Sequence, residues 1–160
     1  MRLVALILLA AGFVTGARAE DPPRPKAPDL PKLSPEAEKA LATLQGDWKV
    51  VQITLDGKDM EPDAGEEVVV TFKGRKIIFS SDGKPIQEAV VVALDPSTKP
   101  PCIDVSKSAS DTRVEEAVYK IDGDTLLYHS YKGKDKNRPT GFDTSKDTAT
   151  MLLKAQRIKK

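Results

Sequence analysis

The chain has 160 residues, with 25 basic and 24 acidic side chains and a formal net charge of +1. This balance lacks the strong basic excess that bulk nucleic-acid binding needs, so we expect no nucleic-acid partner. One cysteine, Cys102, and one histidine, His129, exclude an internal disulfide and a histidine-rich metal site, and we expect neither a metal nor a cofactor.

The first 19 residues have the pattern of a secretory signal peptide. Arg2 supplies a positive start, residues 3–14 are apolar or small, and Ala17 and Ala19 present the small side chains that a signal peptidase recognises. The apolar run is shorter than the ~20 residues that span a bilayer. We therefore expect cleavage after Ala19, export to the periplasm or the medium, and no transmembrane segment in the mature chain.

A proline-rich segment and a short helix are predicted next. Residues 20–33 are expected to be a disordered tether, because proline removes backbone donors and fixes φ. The helix is predicted over residues 34–45, with Ser34 as N-cap and Pro35 in the first helical position. Three apolar side chains share one face of this helix at helical spacing: Ala37, Leu41 and Leu44.

From Trp48 onward the hydrophobic period changes to two, which predicts strands. We expect eight of them, at about 47–56, 66–73, 75–81, 86–94, 101–107, 113–121, 125–131 and 148–158. Turn dipeptides such as Asp82-Gly83 and Asp122-Gly123 separate them, and the short connections favour an up-and-down meander. Because an eighth strand runs antiparallel to the first, the sheet can close. The sequence therefore predicts an all-β fold, an eight-stranded antiparallel up-and-down barrel over residues 46–160.

The two longest predicted loops, 57–65 and 132–147, fall at the same end of this barrel, and we expect its mouth there. Alternation points a mostly apolar set of side chains inward, and Lys134 and Lys136 lie in the second long loop. The tentative ligand-binding residues are Val50, Val70, Phe72, Phe79, Glu115, Tyr119, Tyr128, Lys134 and Lys136. An eight-stranded barrel either holds one small ligand or is filled by side chains, and the sequence leaves both open.

Several segments together resemble a known family. They are residues 44–51, which contain the G-x-W form Gly46-Asp47-Trp48, and residues 94–96, 101–104, 119–126 and 138–142. The family consists of small exported bacterial domains that are abundant in planctomycetes, are described as lipocalin-like and have no assigned activity. The resemblance covers residues 44–160 and implies a lipocalin-like barrel.

The ends of the barrel strands predict a structural plug. Trp48 begins the first strand and Arg157 ends the last, so a closed antiparallel pairing puts them at the same end. There the guanidinium can lie over the indole, an arrangement that the lipocalin resemblance also implies. We expect Gly46, Trp48 and Arg157 to close this end, with a ligand-stacking role for Trp48 as the alternative.

No catalytic signature is present, so we expect a protein that is not an enzyme. An inward carboxylate pair in a cavity would revive an enzymatic role, with Glu115 as one member. The preferred hypothesis is a monomer that binds a small hydrophobic or amphiphilic ligand, with a basic lip at Lys134 and Lys136 for an anionic head group. The alternative is a filled barrel that acts as an interaction module for a cell-envelope protein or polymer.

Overall fold

The computed structural model describes residues 30–111, 113–131, 138–144 and 150–159. Within them the chain forms one helix and nine strands: α1 (Pro35–Leu44), β1 (Gly46–Leu55), β2 (Lys58–Met60), β3 (Val68–Lys73), β4 (Lys76–Ser81), β5 (Lys84–Asp95), β6 (Cys102–Ser106), β7 (Glu115–Asp122), β8 (Thr125–Tyr131) and β9 (Thr150–Arg157). Helix α1 is too short to cross a membrane. The predicted signal peptide, and the predicted tether up to residue 29, lie outside the described residues.

The sheet closes into a barrel. Its strand order is β2-β1-β3-β4-β5-β6-β7-β8-β9, all neighbours are antiparallel, and β1 also pairs with β9. Strands β1 and β3–β9 form the eight-stranded, up-and-down, lipocalin-like barrel, which confirms the predicted fold class. Closure leaves the first and last strands without the free edges that invite aggregation.

The edge of strand β1 that does not pair with β9 pairs with two strands in succession. Residues 46–49 pair with β3, whereas residues 53–55 pair with the short strand β2. The connection predicted as a loop over 57–65 therefore contains a β-hairpin. Its turn is Asp56-Gly57, and both residues have positive φ, 52° and 74°. Two such residues in succession form the primed turn that suits a tight hairpin.

Helix α1 forms where the sequence predicts it. The hydroxyl of Ser34 accepts a hydrogen bond from the backbone N–H of Ala37 at 3.1 Å, which caps the first turn. Ala37, Leu41 and Leu44 are buried in the same hydrophobic core as the barrel side chains. The helix therefore packs its apolar face against the barrel.

The two ends of the barrel differ in what surrounds them. The closed end consists of helix α1, the start of β1, the end of β9 and the connections β3–β4, β5–β6 and β7–β8. The mouth consists of the β1–β2 hairpin and the connections β2–β3, β4–β5 and β6–β7, and β8 ends and β9 begins there. This assignment of long connections to one end follows from the up-and-down order and agrees with the predicted position of the mouth.

Candidate functional site

The closed end is built around Trp48. The indole is completely buried, and Trp48 pairs with Val70 on β3 and with Arg157 on β9. The guanidinium carbon of Arg157 lies 4.0 Å from the centroid of the Trp48 ring, in the range of a cation–π interaction. The structure thus places the predicted plug pair together, with no accessible indole face left for a ligand.

The same two side chains hold the C-terminal end of helix α1. Arg157 donates from Nη1 to the carbonyl of Gln45 at 2.8 Å and from Nη2 to the carbonyl of Thr43 at 2.7 Å. Trp48 Nε1 donates to the carbonyl of Leu44 at 2.8 Å. These carbonyls lack partners within the helix, and a cation complements the negative end of the helix dipole. The role of the helix as part of the plug was not predicted from the sequence.

Gly46 allows the chain to turn from the helix into β1. Its φ is +109°, which is a backbone conformation that residues with a Cβ rarely adopt. A Cβ at this position would lie 3.6 Å from Nη1 of Arg157, an ordinary contact distance. The backbone angle, rather than a lack of space, is therefore the reason for glycine here.

Four of the predicted ligand-binding residues belong to the packed interior. Val50, Val70, Phe72 and Tyr119 are between 1 % and 5 % exposed and join the core cluster. Side chains buried to this extent contact one another, so a ligand reaches them only by displacing core atoms. Any ligand contact in the present arrangement must therefore lie nearer the mouth.

Half-buried inward side chains occur in the mouth half of three strands, although Ser81 and Ser130, one inward position further, are buried again. Inward-facing Ile77, Leu126 and Leu153 are buried, whereas the next inward residues toward the mouth, Phe79, Tyr128 and Met151, are half-buried. On the β1–β3 side of the barrel, by contrast, Leu55 and Val68 stay buried. The partly exposed apolar side chains of the barrel interior named here therefore lie in its mouth half.

A tyrosine–carboxylate pair stands in this region. Tyr128 Oη donates a hydrogen bond to Oε1 of Glu115 at 2.7 Å, and Glu115 itself is exposed. Burial, followed by the charge of the Glu115 carboxylate and the hydrogen bond to it, raises the pKa of Tyr128 well above its ordinary value. The phenol therefore stays protonated at neutral pH and remains a donor to Glu115.

The acidic residues of the mouth hairpin are engaged in local contacts. Asp59 Oδ1 accepts a hydrogen bond from the hydroxyl of Thr54 at 2.6 Å, which lowers the pKa of Asp59. Glu66 Oε1 accepts from the hydroxyl of Ser81 at 3.0 Å. These contacts tie the β1–β2 hairpin and the segment before β3 to neighbouring strands. Lys134 and Lys136, the predicted basic lip, lie outside the described residues.

Residues 138–144, which we term the strap, lie against the outer wall of the barrel. Arg138 donates from Nη1 to the carbonyl of Ala117 at 2.9 Å, and the same atom lies 2.6 Å from Oδ1 of Asp104. Burial alone would lower the pKa of Arg138, but the hydrogen bond and charge of Asp104 outweigh it and raise the pKa. Pro139 is buried beside this anchor. Arg138 thus fixes the strap to β6 and β7.

The described parts of the barrel contain one free thiol and one buried imidazole, but no cluster of metal ligands. No group of three or more His, Cys, Asp or Glu side chains there could hold a metal ion. Cys102 is a free, half-buried thiol at the start of β6, and its sulfur accepts a hydrogen bond from the Thr98 hydroxyl at 3.1 Å. His129, on β8, is buried on the outer wall rather than in the barrel.

No family model, curated protein or solved structure matches the chain.

Proposed function

We propose that this protein is an exported, non-enzymatic binding protein whose barrel mouth takes up a small amphiphile. The apolar part of the ligand packs against Phe79, Tyr128 and Met151, and its head group lies beside Glu115. The observation that carries the proposal is the Tyr128–Glu115 pair, which lies in the same half of the barrel as the half-buried side chains of Phe79 and Met151. A few polar groups converging on an apolar lining are typical of small-molecule sites.

The chemistry of the pair favours one class of head group. The Tyr128 hydroxyl uses its only proton on Glu115, and an ionised carboxylate only accepts hydrogen bonds. What remains available at the pair is acceptor capacity. A head group that donates, such as a hydroxyl or an ammonium, therefore fits Glu115, whereas a carboxylate head would depend on Lys134 and Lys136.

A second function is favoured by the packing of the interior. The interior toward the closed end is filled by buried side chains, among them Val50, Val70, Phe72 and Tyr119. A barrel filled to this extent also suits an interaction module that presents its loops to a cell-envelope protein or polymer. In that case the half-buried mouth residues are simply the upper layer of the core.

Isothermal titration with two probes of equal chain length tests the proposal. Dodecylamine and laurate, each below its micelle concentration, are titrated into the purified protein and into Glu115→Gln. We expect dodecylamine to bind the wild type more tightly than laurate does. Glu115→Gln should weaken dodecylamine about tenfold, because a hydrogen bond to a charged group contributes about 1.5–3 kcal/mol.

Glu36→Gln is the matched control, because Glu36 is an exposed carboxylate on helix α1 at the opposite end of the barrel. It should leave both titrations unchanged. Tighter binding of laurate, lost on charge reversal at Lys134 and Lys136, would replace the donor head group by an anionic one. Absence of binding with both probes, together with a bare mass in native mass spectrometry, would reject the ligand proposal in favour of the interaction module.

A further inference from the structure

The outer wall of the barrel holds a buried histidine beneath the strap. His129 is 1 % exposed, and its neighbours in the strand register are Val118 on β7 and Leu152 on β9. The ring of Tyr131 lies 5.9 Å away, centroid to centroid. Because Tyr128 points inward, the adjacent His129 points outward, toward the strap.

The hydrogen bonding of the ring fixes the tautomer of its neutral form. Nδ1 lies 2.6 Å from the carbonyl oxygen of Gly141 in the strap. A carbonyl only accepts, so Nδ1 carries the proton of the neutral ring and Nε2 carries none. Nε2 is also buried and has no hydrogen-bond partner. Buried polar atoms without a partner are uncommon, and each one asks for a physical explanation.

We propose that His129 is a proton-sensitive latch for the strap. The neutral ring donates a hydrogen bond from Nδ1 to Gly141, and its buried Nε2 carries a lone pair but no charge. Protonation turns Nε2 into a second N–H donor without an acceptor and places a charge beneath the strap. A buried charge without a partner is much more costly than a hydrated one, so the strap lifts and lets water reach Nε2.

The described elements next to His129 carry charged and titratable groups on the outer wall and in the strap. They are Arg138 and Asp143 on the strap, Asp104 on β6, Glu116 and Lys120 on β7, Tyr131 on β8 and Lys154 on β9. None of them bonds to Nε2. Asp104 and Glu116, the carboxylates that would favour an imidazolium, lie 2.6 Å and 4.0 Å from the Arg138 guanidinium. Their charges therefore pair with Arg138, which holds one end of the strap. The contact between His129 and Gly141 is a separate attachment of the strap.

The latch is independent of any ligand and is measured on the free protein. Amide hydrogen exchange, corrected for the intrinsic pH dependence, reports opening of the strap at Gly141 and Phe142. From about pH 7.5 to about pH 5.5 we expect their protection to fall at least about tenfold. The amide of Val70, in the paired core of β3, should keep its protection and serve as the internal control.

His129→Gln distinguishes the effect of protonation from the effect of the hydrogen bond to Gly141. A glutamine amide still donates a hydrogen bond to Gly141 but does not titrate, so the strap of this variant should keep the same protection at both pH values. Arg138→Gln is a second variant, which removes the other anchor and should move release of the strap to higher pH. Constant protection in the wild type, or the same acid-dependent loss in His129→Gln, would overturn the proposal.

Discussion

At the closed end, Trp48 and Arg157 donate side-chain hydrogen bonds to backbone carbonyls in the last turn and the C-cap of helix α1, whereas at the mouth Tyr128 and Glu115 bond to each other. The closed end thereby locks a helix, two strands and a buried indole into one unit. The mouth leaves a polar pair and half-buried apolar side chains in reach of solvent. A rigid scaffold at one end is what permits an adaptable surface at the other.

The largest expected effect is a difference between the two ends in how much a buried side chain contributes to the free energy of unfolding. Trp48→Ala removes a completely buried indole and should lower the free energy of unfolding by about 3–5 kcal/mol. Met151→Ala truncates a half-buried side chain at the mouth and should cost clearly less. Urea unfolding followed by circular dichroism measures both. Equal losses would show that the mouth carries as much of the core as the closed end.

A smaller effect is expected from the guanidinium that joins β9 to helix α1. Arg157→Gln loses the contact with the Trp48 ring and leaves helix carbonyls without their donors, so it should cost about 1–3 kcal/mol. Arg157→Lys keeps the charge but lacks the planar fork that reaches two carbonyls. It should fall between wild type and Arg157→Gln in the same unfolding experiment. If Lys restores full stability, charge alone accounts for the plug.

The smallest expected effect is the contribution of Tyr128, at the mouth, to the pH dependence of the unfolding free energy. Because the pKa of Tyr128 is raised in the folded state, its contribution to stability is present below the ordinary tyrosine value of about 10. That contribution is lost as the pH rises from there toward the folded-state value. The wild type should therefore lose more unfolding free energy between about pH 8.5 and pH 11 than Tyr128→Phe does. If the wild type and Tyr128→Phe lost the same unfolding free energy over this pH range, ionisation of Tyr128 would not contribute to the pH dependence of stability.

The periodic parts of the fold were accessible from the sequence. Alternation identified the eight barrel strands, and helix α1 begins at Pro35 after the predicted N-cap Ser34. The Trp48–Arg157 contact also followed, since closure of an even-numbered meander brings the first and last strands together. Strand β2 was missed although its signal, Asp56-Gly57, is present in the chain. Short elements supported by a single turn are easily absorbed into a predicted loop.

Contacts made by the long β8–β9 connection were not accessible. Arg138 follows the predicted basic lip in the same long loop, but it lies on the wall and pairs with Asp104. His129 carries no local signal of its contact with the strap, beneath which it is buried. No local pattern encodes these pairings, because they depend on the path of a loop rather than on periodicity. Alternation placed Tyr128 and Glu115 on the inner face, but not their hydrogen bond.

Chemical-shift mapping with dodecylamine tests the central claim most directly, because it shows which end of the barrel meets a ligand. The account predicts that amides of Phe79, Tyr128 and Met151 shift with saturation, while those of Trp48 and Phe72 stay in place. Shifts centred on Trp48 and Phe72, with the mouth unaffected, would contradict it.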